Sequence, residues 1–199
     1  MLVDDLIGTQ TPRRRLHAPV DAVEELERAV PELVGHRRSV PVGIDWAVVE
    51  ADLGIGLPDD YRLLCEFFPA FVLGDFLILG GPRPGTEAAW VQGTREELEM
   101  VAEWCGDADL AVPLQPYPAA GGLLPWATSN EGDIFLWKTG PADPREWTCT
   151  VASRNGGWWH YAGGAVQFLA DLVSGVLEPW GLPSVRPEVS WVSTQAPLP

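Results

Sequence analysis

Alternation between apolar and polar residues predicts a β-hairpin in the middle of the chain. An apolar run from Leu123 to Ala127 is followed by the polar cluster 128–132, and apolar residues resume from Ile134 to Trp137. Two β-rich runs around a glycine-containing polar loop are typical of a hairpin. Neighbouring residues of a strand point to opposite faces, and both sets are apolar in the second run. We therefore expect protein to cover this strand on both sides.

Further strands are predicted at 75–79, 147–153 and 158–161. The run 147–153 alternates regularly, and Asn155-Gly156 separates it from the aromatic run that follows. Asn-Gly between two such runs is a strong signal of a tight hairpin. Together with the central hairpin, at 123–127 and 133–138, these segments predict one twisted, mostly antiparallel sheet of about five to six strands.

Apolar residues at helical spacing predict helices before, between and after these strands. Asp21 and Asp45 stand where a side chain caps the start of a helix, and Thr94 begins a capping box. The five predicted helices lie at 21–30, 46–53, 59–68, 95–105 and 164–174. On their apolar faces and on the central strand we expect these buried residues: Trp46, Leu53, Tyr61, Leu64, Phe68, Ile134, Leu136, Leu169 and Leu172.

These elements predict an α+β fold in a single domain, with helices packed around the sheet. Residues 1–20 lack periodicity and contain three consecutive arginines, so we expect a loose N-terminal tail before a domain at 21–178. Five prolines in 179–199 predict an irregular C-terminal tail. Trp180 and Trp191 are candidates to anchor that tail to the domain.

The net charge of the chain restricts the classes of partner that it is expected to bind. The net charge is −15, and from Asp45 to Glu178 there are 20 acids and 6 bases, so the negative charge belongs to the predicted domain. This balance argues against binding to nucleic acid, which needs clustered Lys and Arg. A strongly negative field favours association with a basic partner, but it also keeps a protein in solution, and both interpretations stay open.

The cysteines and histidines do not predict a metal site or a disulfide framework. Three cysteines and three histidines are scattered without the spacing of metal ligands. We expect reduced thiols, no metal and no cofactor. No apolar run approaches the roughly 20 residues of a membrane span, and the N-terminus places its acids before its arginines, unlike a secretory signal. We therefore expect a cytoplasmic protein without membrane contacts, and a monomer by default.

The residues that could carry chemistry have simpler structural interpretations. The sequence contains no nucleophile elbow and no phosphate-binding loop. Glu131 and Asp133 flank Gly132 as the paired carboxylates of a glycosidase would, but the chemistry of turns explains them more simply. His160 lies alone between aromatic residues, which is typical of a structural histidine. We therefore expect no enzymatic activity.

A carboxylate stripe is the main candidate for a partner contact. In the segment 83–120, Glu96, Glu99 and Glu103 share one helix face. The opposite face is apolar and consists of Leu98, Val101, Ala102 and Cys105. Such a stripe is either the solvated side of a helix or a docking surface. The ten tryptophans are either core or interface residues. The candidate partner-binding residues are Glu96, Glu99, Glu103, Glu131, Asp133 and Trp158.

The order of these segments resembles that of a known superfamily. WAVVEADLGIGLPDDYRLLCEFF, at 46–68, resembles the opening signature of the SUKH superfamily, the Smi/Knr-type proteins. DFLILGGP at 75–82 is similar to that family's first strand, and LLPWATSNEGDIFLW at 123–137 to its central segment. The similarity extends over about 44–175, and the long, acidic segment 83–120 departs from it. The matching positions in the opening signature are Trp46, Glu50, Leu53, Gly54, Leu57, Pro58, Asp60 and Tyr61.

The resemblance implies an α+β fold and a non-enzymatic binding protein. Bacterial members of the superfamily are widely immunity proteins, which are held in the cytosol and neutralise a polymorphic toxin, often a nuclease. Fungal relatives act in cell-wall signalling. The implied partner is therefore a cognate toxin domain, and the negative charge of this chain favours a basic one. The alternative is a regulatory scaffold with several weak partners, reached through its tails.

Overall fold

A single twisted sheet of eight strands runs through the computed structural model, which describes residues 6–155 and 157–191. In chain order the strands are β1 (Leu6–Gln10), β2 (Phe71–Leu73), β3 (Leu77–Leu79), β4 (Leu123–Ser129), β5 (Ile134–Lys138), β6 (Thr148–Ala152), β7 (Trp158–Tyr161) and β8 (Val189–Trp191). They lie side by side in the order β1-β7-β6-β5-β4-β3-β2-β8. Six of the seven pairs of neighbours are antiparallel, and β1 with β7 is parallel. The predicted α+β class is confirmed.

Helices pack around the sheet. The described part of the chain contains five α-helices, α1 (Pro19–Ala29), α2 (Trp46–Leu53), α3 (Asp59–Phe67), α4 (Glu87–Asp107) and α5 (Ala165–Val173), and 3₁₀ helices at Pro31–His36 and Pro144–Glu146. Asp45 caps α2 as predicted, because its carboxylate accepts the N–H of Val48 at 3.2 Å. The prediction for Asp21 is wrong. α1 begins two residues earlier, at Pro19, so Asp21 lies in its first turn.

The central hairpin forms the middle of the sheet, and it is buried on both sides. β4 and β5 pair antiparallel, with Leu124 opposite Trp137. Phe135 and Trp137 of β5 belong to the larger apolar cluster, which also contains residues of α1, α3 and α5. Ile134 and Leu136 belong to a second cluster on the opposite face, with Val101 of α4. All nine residues predicted for the core are buried.

The sheet has more strands than predicted because both predicted tails contribute a strand. β1 pairs with β7, so the prediction of a loose N-terminal tail is wrong for Leu6–Gln10. Arg15 donates to the carbonyl groups of Ala162 and Trp147, which fixes the chain between β1 and α1. β8 pairs with β2, so the C-terminal segment is not irregular at Val189–Trp191. Residues 1–5 and 192–199 of the two predicted tails lie outside the described residues.

Trp180 and Trp191 anchor the C-terminal segment, as their size suggested. The ring of Trp180 lies 5.8 Å from the ring of Trp159 on β7. The ring of Trp191 lies 6.3 Å from that of Phe71 on β2.

A third additional strand, β2, forms a hairpin with β3 and lies in the apolar run after α3, where no strand was predicted. Its three residues are too few to show a period of two.

α4 is twice as long as predicted, and its start was placed incorrectly. It begins at Glu87, so Thr94 lies inside the helix rather than at its cap. The hydroxyl of Thr94 donates to the carbonyl of Trp90, one turn earlier, at 3.0 Å. Threonine can satisfy its hydroxyl either at a cap or by bonding back along the helix, and the capping-box pattern does not separate the two cases.

Candidate interaction surface

The three glutamates predicted to share a helix face are all exposed on α4. Glu96, Glu99 and Glu103 point to solvent. The opposite side of the helix, through Val91 and Val101, is buried against the protein. The helical projection therefore placed this face correctly, apart from Ala102, which was assigned to the apolar side and is exposed.

The acidic face of α4, defined as Glu96, Glu99 and Glu103, has little compensating positive charge. α4 contains six acidic residues and one basic residue, Arg95. The guanidinium of Arg95 donates to the main-chain carbonyl of Asp52 rather than to a carboxylate of the acidic face. Glu96 accepts a hydrogen bond from the amide of Gln92 at 3.1 Å. Among the described residues no cation forms an ion pair with any of the three, so their charge is directed to solvent.

One further acid of α4 serves the fold. The carboxylate of Glu87 accepts the main-chain N–H of Asp45 at 3.0 Å and so joins α4 to the start of α2. This N–H lowers the pKa of Glu87 from its ordinary value. Glu87 thus explains how α4 is held in place, while the acidic face lies farther along the helix.

The loop between β4 and β5 contains the predicted pair Glu131 and Asp133, and the two have different roles. Asp133 is 3% exposed; its carboxylate accepts from the hydroxyl of Ser129 at 2.6 Å and from the N–H of Arg154 at 3.0 Å. It holds this loop against the loop between β6 and β7, so its prediction as a partner contact is corrected. Glu131 is exposed, and its main-chain carbonyl accepts from the guanidinium of Arg154 at 3.0 Å.

Trp158 is not available to a partner. It is 3% exposed and packs with Val101, Ile134 and Leu136 beneath the C-terminal half of α4. Trp159, its neighbour in sequence, is buried on the opposite face of the sheet. Since a strand directs adjacent side chains to opposite faces, both tryptophans of this strand are in the core. The prediction of Trp158 as a contact residue is therefore wrong.

His160 has a hydrogen-bond partner within the sheet. Its Nδ1 lies 2.8 Å from the hydroxyl oxygen of Thr150, on the neighbouring strand. Burial, with a smaller contribution from the charge of Lys138, lowers the pKa of His160. In the described part of the chain, no group of three or more His, Cys, Asp and Glu side chains is arranged to hold a metal ion.

The residues that carry the SUKH resemblance are engaged within the fold. The indole N–H of Trp46 donates to Glu66 at 2.8 Å, and the guanidinium of Arg62 lies over its ring at 5.1 Å. The hydroxyl of Tyr61 donates to the carbonyl of Gly80 at 2.7 Å. Asp60 accepts the N–H of Val166 at 3.4 Å, which ties α3 to the first turn of α5. These contacts explain the opening motif as a structural device.

The sequence did not single out one flank of α4. Trp90, Gly93 and Glu97 lie along the helix beside the acidic face, next to Met100, which is 39% exposed. The predicted helix began at residue 95, so Trp90 and Gly93 were left out of the projection. A projection that started at Glu87 would have placed these residues on one flank.

No protein-family model, curated protein or solved structure matches this chain. Among the described residues, no helix is both long enough and apolar enough to cross a membrane.

Proposed function

We propose that this protein is a non-enzymatic, SUKH-like immunity protein that neutralises a basic toxin domain, of the nuclease type, by direct binding in the bacterial cytoplasm. The observation that carries the proposal is the acidic face of α4. Its three carboxylates are exposed and share one side of a long helix, and no described cation pairs with them. A helix face that is merely solvated does not require such a lack of neighbouring cations.

Electrostatics supports a basic partner. A net charge of −15 produces a field that attracts a cationic protein from a distance and repels acidic ones. Complementary charge acts mainly on the rate of encounter and on the choice of partner. A toxin nuclease that binds phosphate needs clustered Lys and Arg, so a negative protein can compete for the same surface.

The place of α4 in the fold also supports the proposal. The segment 83–120 departs most from the SUKH pattern, and α4 supplies more than half of it. Its buried side packs on the sheet through Val101, while among the described residues the acidic face forms no side-chain hydrogen bond or ion pair apart from the bond between Gln92 and Glu96. Such a surface can change its partner without disturbing the core.

The proposal predicts that a gene next to this one encodes the toxin, and the test is the survival of bacteria that produce that toxin. The parent should protect them, and the triple variant Glu96→Gln, Glu99→Gln and Glu103→Gln should protect them less. A matched control removes three exposed charges elsewhere, through Asp21→Asn, Glu24→Gln and Glu188→Gln, and it should protect like the parent. Equal protection by the triple variant would make the acidic face a solvated surface only. If the parent does not neutralise the toxin, the regulatory-scaffold alternative replaces the immunity proposal.

A further inference from the structure

A groove of about 570 Å³ lies between α4 and the sheet. One wall is the flank of α4 that carries Trp90, Glu97 and Met100. The other wall is formed by residues of β3 and β4, among them Ile78, Pro125 and Thr128. The groove therefore combines apolar walls with a carboxylate, and it adjoins the acidic face through Glu96, which lines its edge.

The helix itself keeps the groove open. At 100° per residue, Gly93, Glu97 and Trp90 lie within about 60° of one another on α4. A Cβ added at Gly93 would meet nothing within 4 Å, so the missing side chain leaves space in the groove wall. Glycine in the interior of a helix is unfavourable relative to alanine. Binding of a ligand in the space beside Gly93 would offset the cost of placing glycine inside a helix.

Glu97 brings a carboxylate into this groove. It is partly buried, and among the described residues no cation forms an ion pair with its carboxylate. Burial raises the pKa of Glu97, as expected for a carboxylate that has lost solvent without gaining a counter-charge. Arg83 also lines the groove, but it is exposed and forms no described ion pair with Glu97.

We propose that this groove receives a Lys or Arg side chain of the basic partner, with the aliphatic stem against Trp90 and Met100 and the cation on the carboxylate of Glu97. The inference rests on the proposed function and adds to it a specific anchoring contact. A long basic side chain fits because it buries apolar stem and charge together. A cation desolvated beside a carboxylate acts chiefly on the rate of dissociation, unlike the exposed acidic face.

Other occupants fit less well. The parts of this chain outside the described residues are MLVDD, Gly156 and VSTQAPLP, and none of them contains Lys or Arg. A second copy of the protein carries the same charge of −15 and would be repelled.

Two groove variants and one control test the inference in the complex with the toxin encoded next to this gene. Gly93→Leu fills the groove, and Glu97→Gln removes its charge at nearly constant shape. Gly35→Leu is the control, since Gly35 also has open space around it but lies in the 3₁₀ helix Pro31–His36 rather than on α4 and does not line the groove. We expect both groove variants to dissociate about 10-fold faster or more, and the control to dissociate like the parent. Circular dichroism checks that each variant is folded.

A second arm uses a defined probe. Nα-acetyl-lysine-N-methylamide and its arginine counterpart are titrated against the parent, with the norleucine counterpart as the uncharged control, and the indole N–H of Trp90 is followed by NMR. At least one basic probe should shift this signal saturably in the parent and not in Gly93→Leu, whereas norleucine should not.

The two arms separate the two proposals. If the toxin binds the parent but both groove variants dissociate at the parent's rate, the groove inference is overturned while the proposed function stands. If the toxin does not bind the parent at all, the proposed function falls. The probe titration then decides the groove inference, which absence of a saturable shift would overturn.

Discussion

The hydroxyl of Tyr161 donates a hydrogen bond to the carboxylate of Asp171 at 2.5 Å. The bond joins β7 to α5 in the interior, where Asp171 is 8% exposed. Burial raises the pKa of Asp171, and the hydrogen bond from Tyr161 opposes that change because it stabilises the ionised carboxylate. The hydrogen bond from Tyr161 therefore reduces the cost of burying the ionised carboxylate of Asp171 on α5.

Tyr161→Phe should destabilise the protein by about 1–3 kcal/mol at pH 7, because it leaves a buried carboxylate without its donor. A carboxyl group whose folded-state pKa is raised costs stability as the pH rises from its ordinary value to the raised one. The loss should therefore shrink near pH 3, where an aspartate is mostly protonated even when unfolded. Urea unfolding at the two pH values measures the difference.

Tyr117→Phe provides the control for this pH dependence. The hydroxyl of Tyr117 donates to the main-chain carbonyl of Leu53 at 3.1 Å, and that acceptor does not titrate. Its loss should be similar at both pH values. If Tyr161→Phe also lost the same free energy at both, the ionisation of Asp171 would not be coupled to this bond.

Leu64→Ala should destabilise the protein by about 2–5 kcal/mol, since it removes a fully buried side chain and leaves a cavity in the larger apolar cluster. Val34→Ala, at a side chain that is 58% exposed, should change the free energy of unfolding by less than about 0.5 kcal/mol. Chemical denaturation compares the two. A Leu64 variant as stable as the Val34 variant would mean that the apolar face of α3 does not pack on the core.

Glu97→Gln should raise the melting temperature of the free protein at pH 7. Burial raises the pKa of Glu97, so ionisation costs stability as the pH rises above the ordinary value of 4.5. Below that value the carboxyl is protonated in both states, and the advantage of glutamine should vanish. Glu103→Gln, at an exposed position of the same helix, should change the melting temperature little at either pH. A lower melting temperature for Glu97→Gln at pH 7 would show that the carboxylate already has a stabilising partner.

Gly74→Ala should destabilise the protein by roughly 1–3 kcal/mol, because Gly74 has a φ of 60° and an added Cβ would lie 2.7 Å from the main-chain nitrogen of Arg186. Gly93→Ala should have the opposite effect, a gain of up to about 1 kcal/mol, since it sits in a helix with open space. Thermal unfolding of both variants measures the contrast. Unchanged stability of Gly74→Ala would mean that the segment leading to β8 does not pack there.

The sequence predicts the central strands and the core well, because these depend on local patterns. Phe135 and Leu136 are apolar on opposite sides of one strand, so coverage on both faces follows from periodicity alone. The edge strands were missed for the opposite reason. β1 pairs in parallel with a strand about 150 residues away, and no turn between the two strands indicates the pairing in the sequence. β8 has only three residues and follows a proline, so its pattern is too short to predict a strand.

In the candidate site too, local sequence patterns predict some features, while others depend on segments that are distant in the chain. The exposure of Glu96, Glu99 and Glu103 follows from helical spacing and was predicted. Whether Trp158 faces solvent depends on which elements cover its side of the sheet, and the sequence does not show that α4 lies over it. The groove was missed because it is formed by two segments that are distant in the chain, α4 and the strands β3 and β4.

The most direct measurement of the central claim is the association rate with the neighbouring toxin at low and high salt. The acidic face acts through long-range attraction, which salt screens over a Debye length of about 10 Å at 0.1 M. For the parent, we predict a rate that falls at least about 10-fold between 50 and 500 mM NaCl. The variant Glu96→Gln, Glu99→Gln and Glu103→Gln should associate more slowly at low salt and depend less on salt, while the Asp21, Glu24 and Glu188 control resembles the parent. Equal rates and equal salt dependence for the parent and the triple variant would contradict the account.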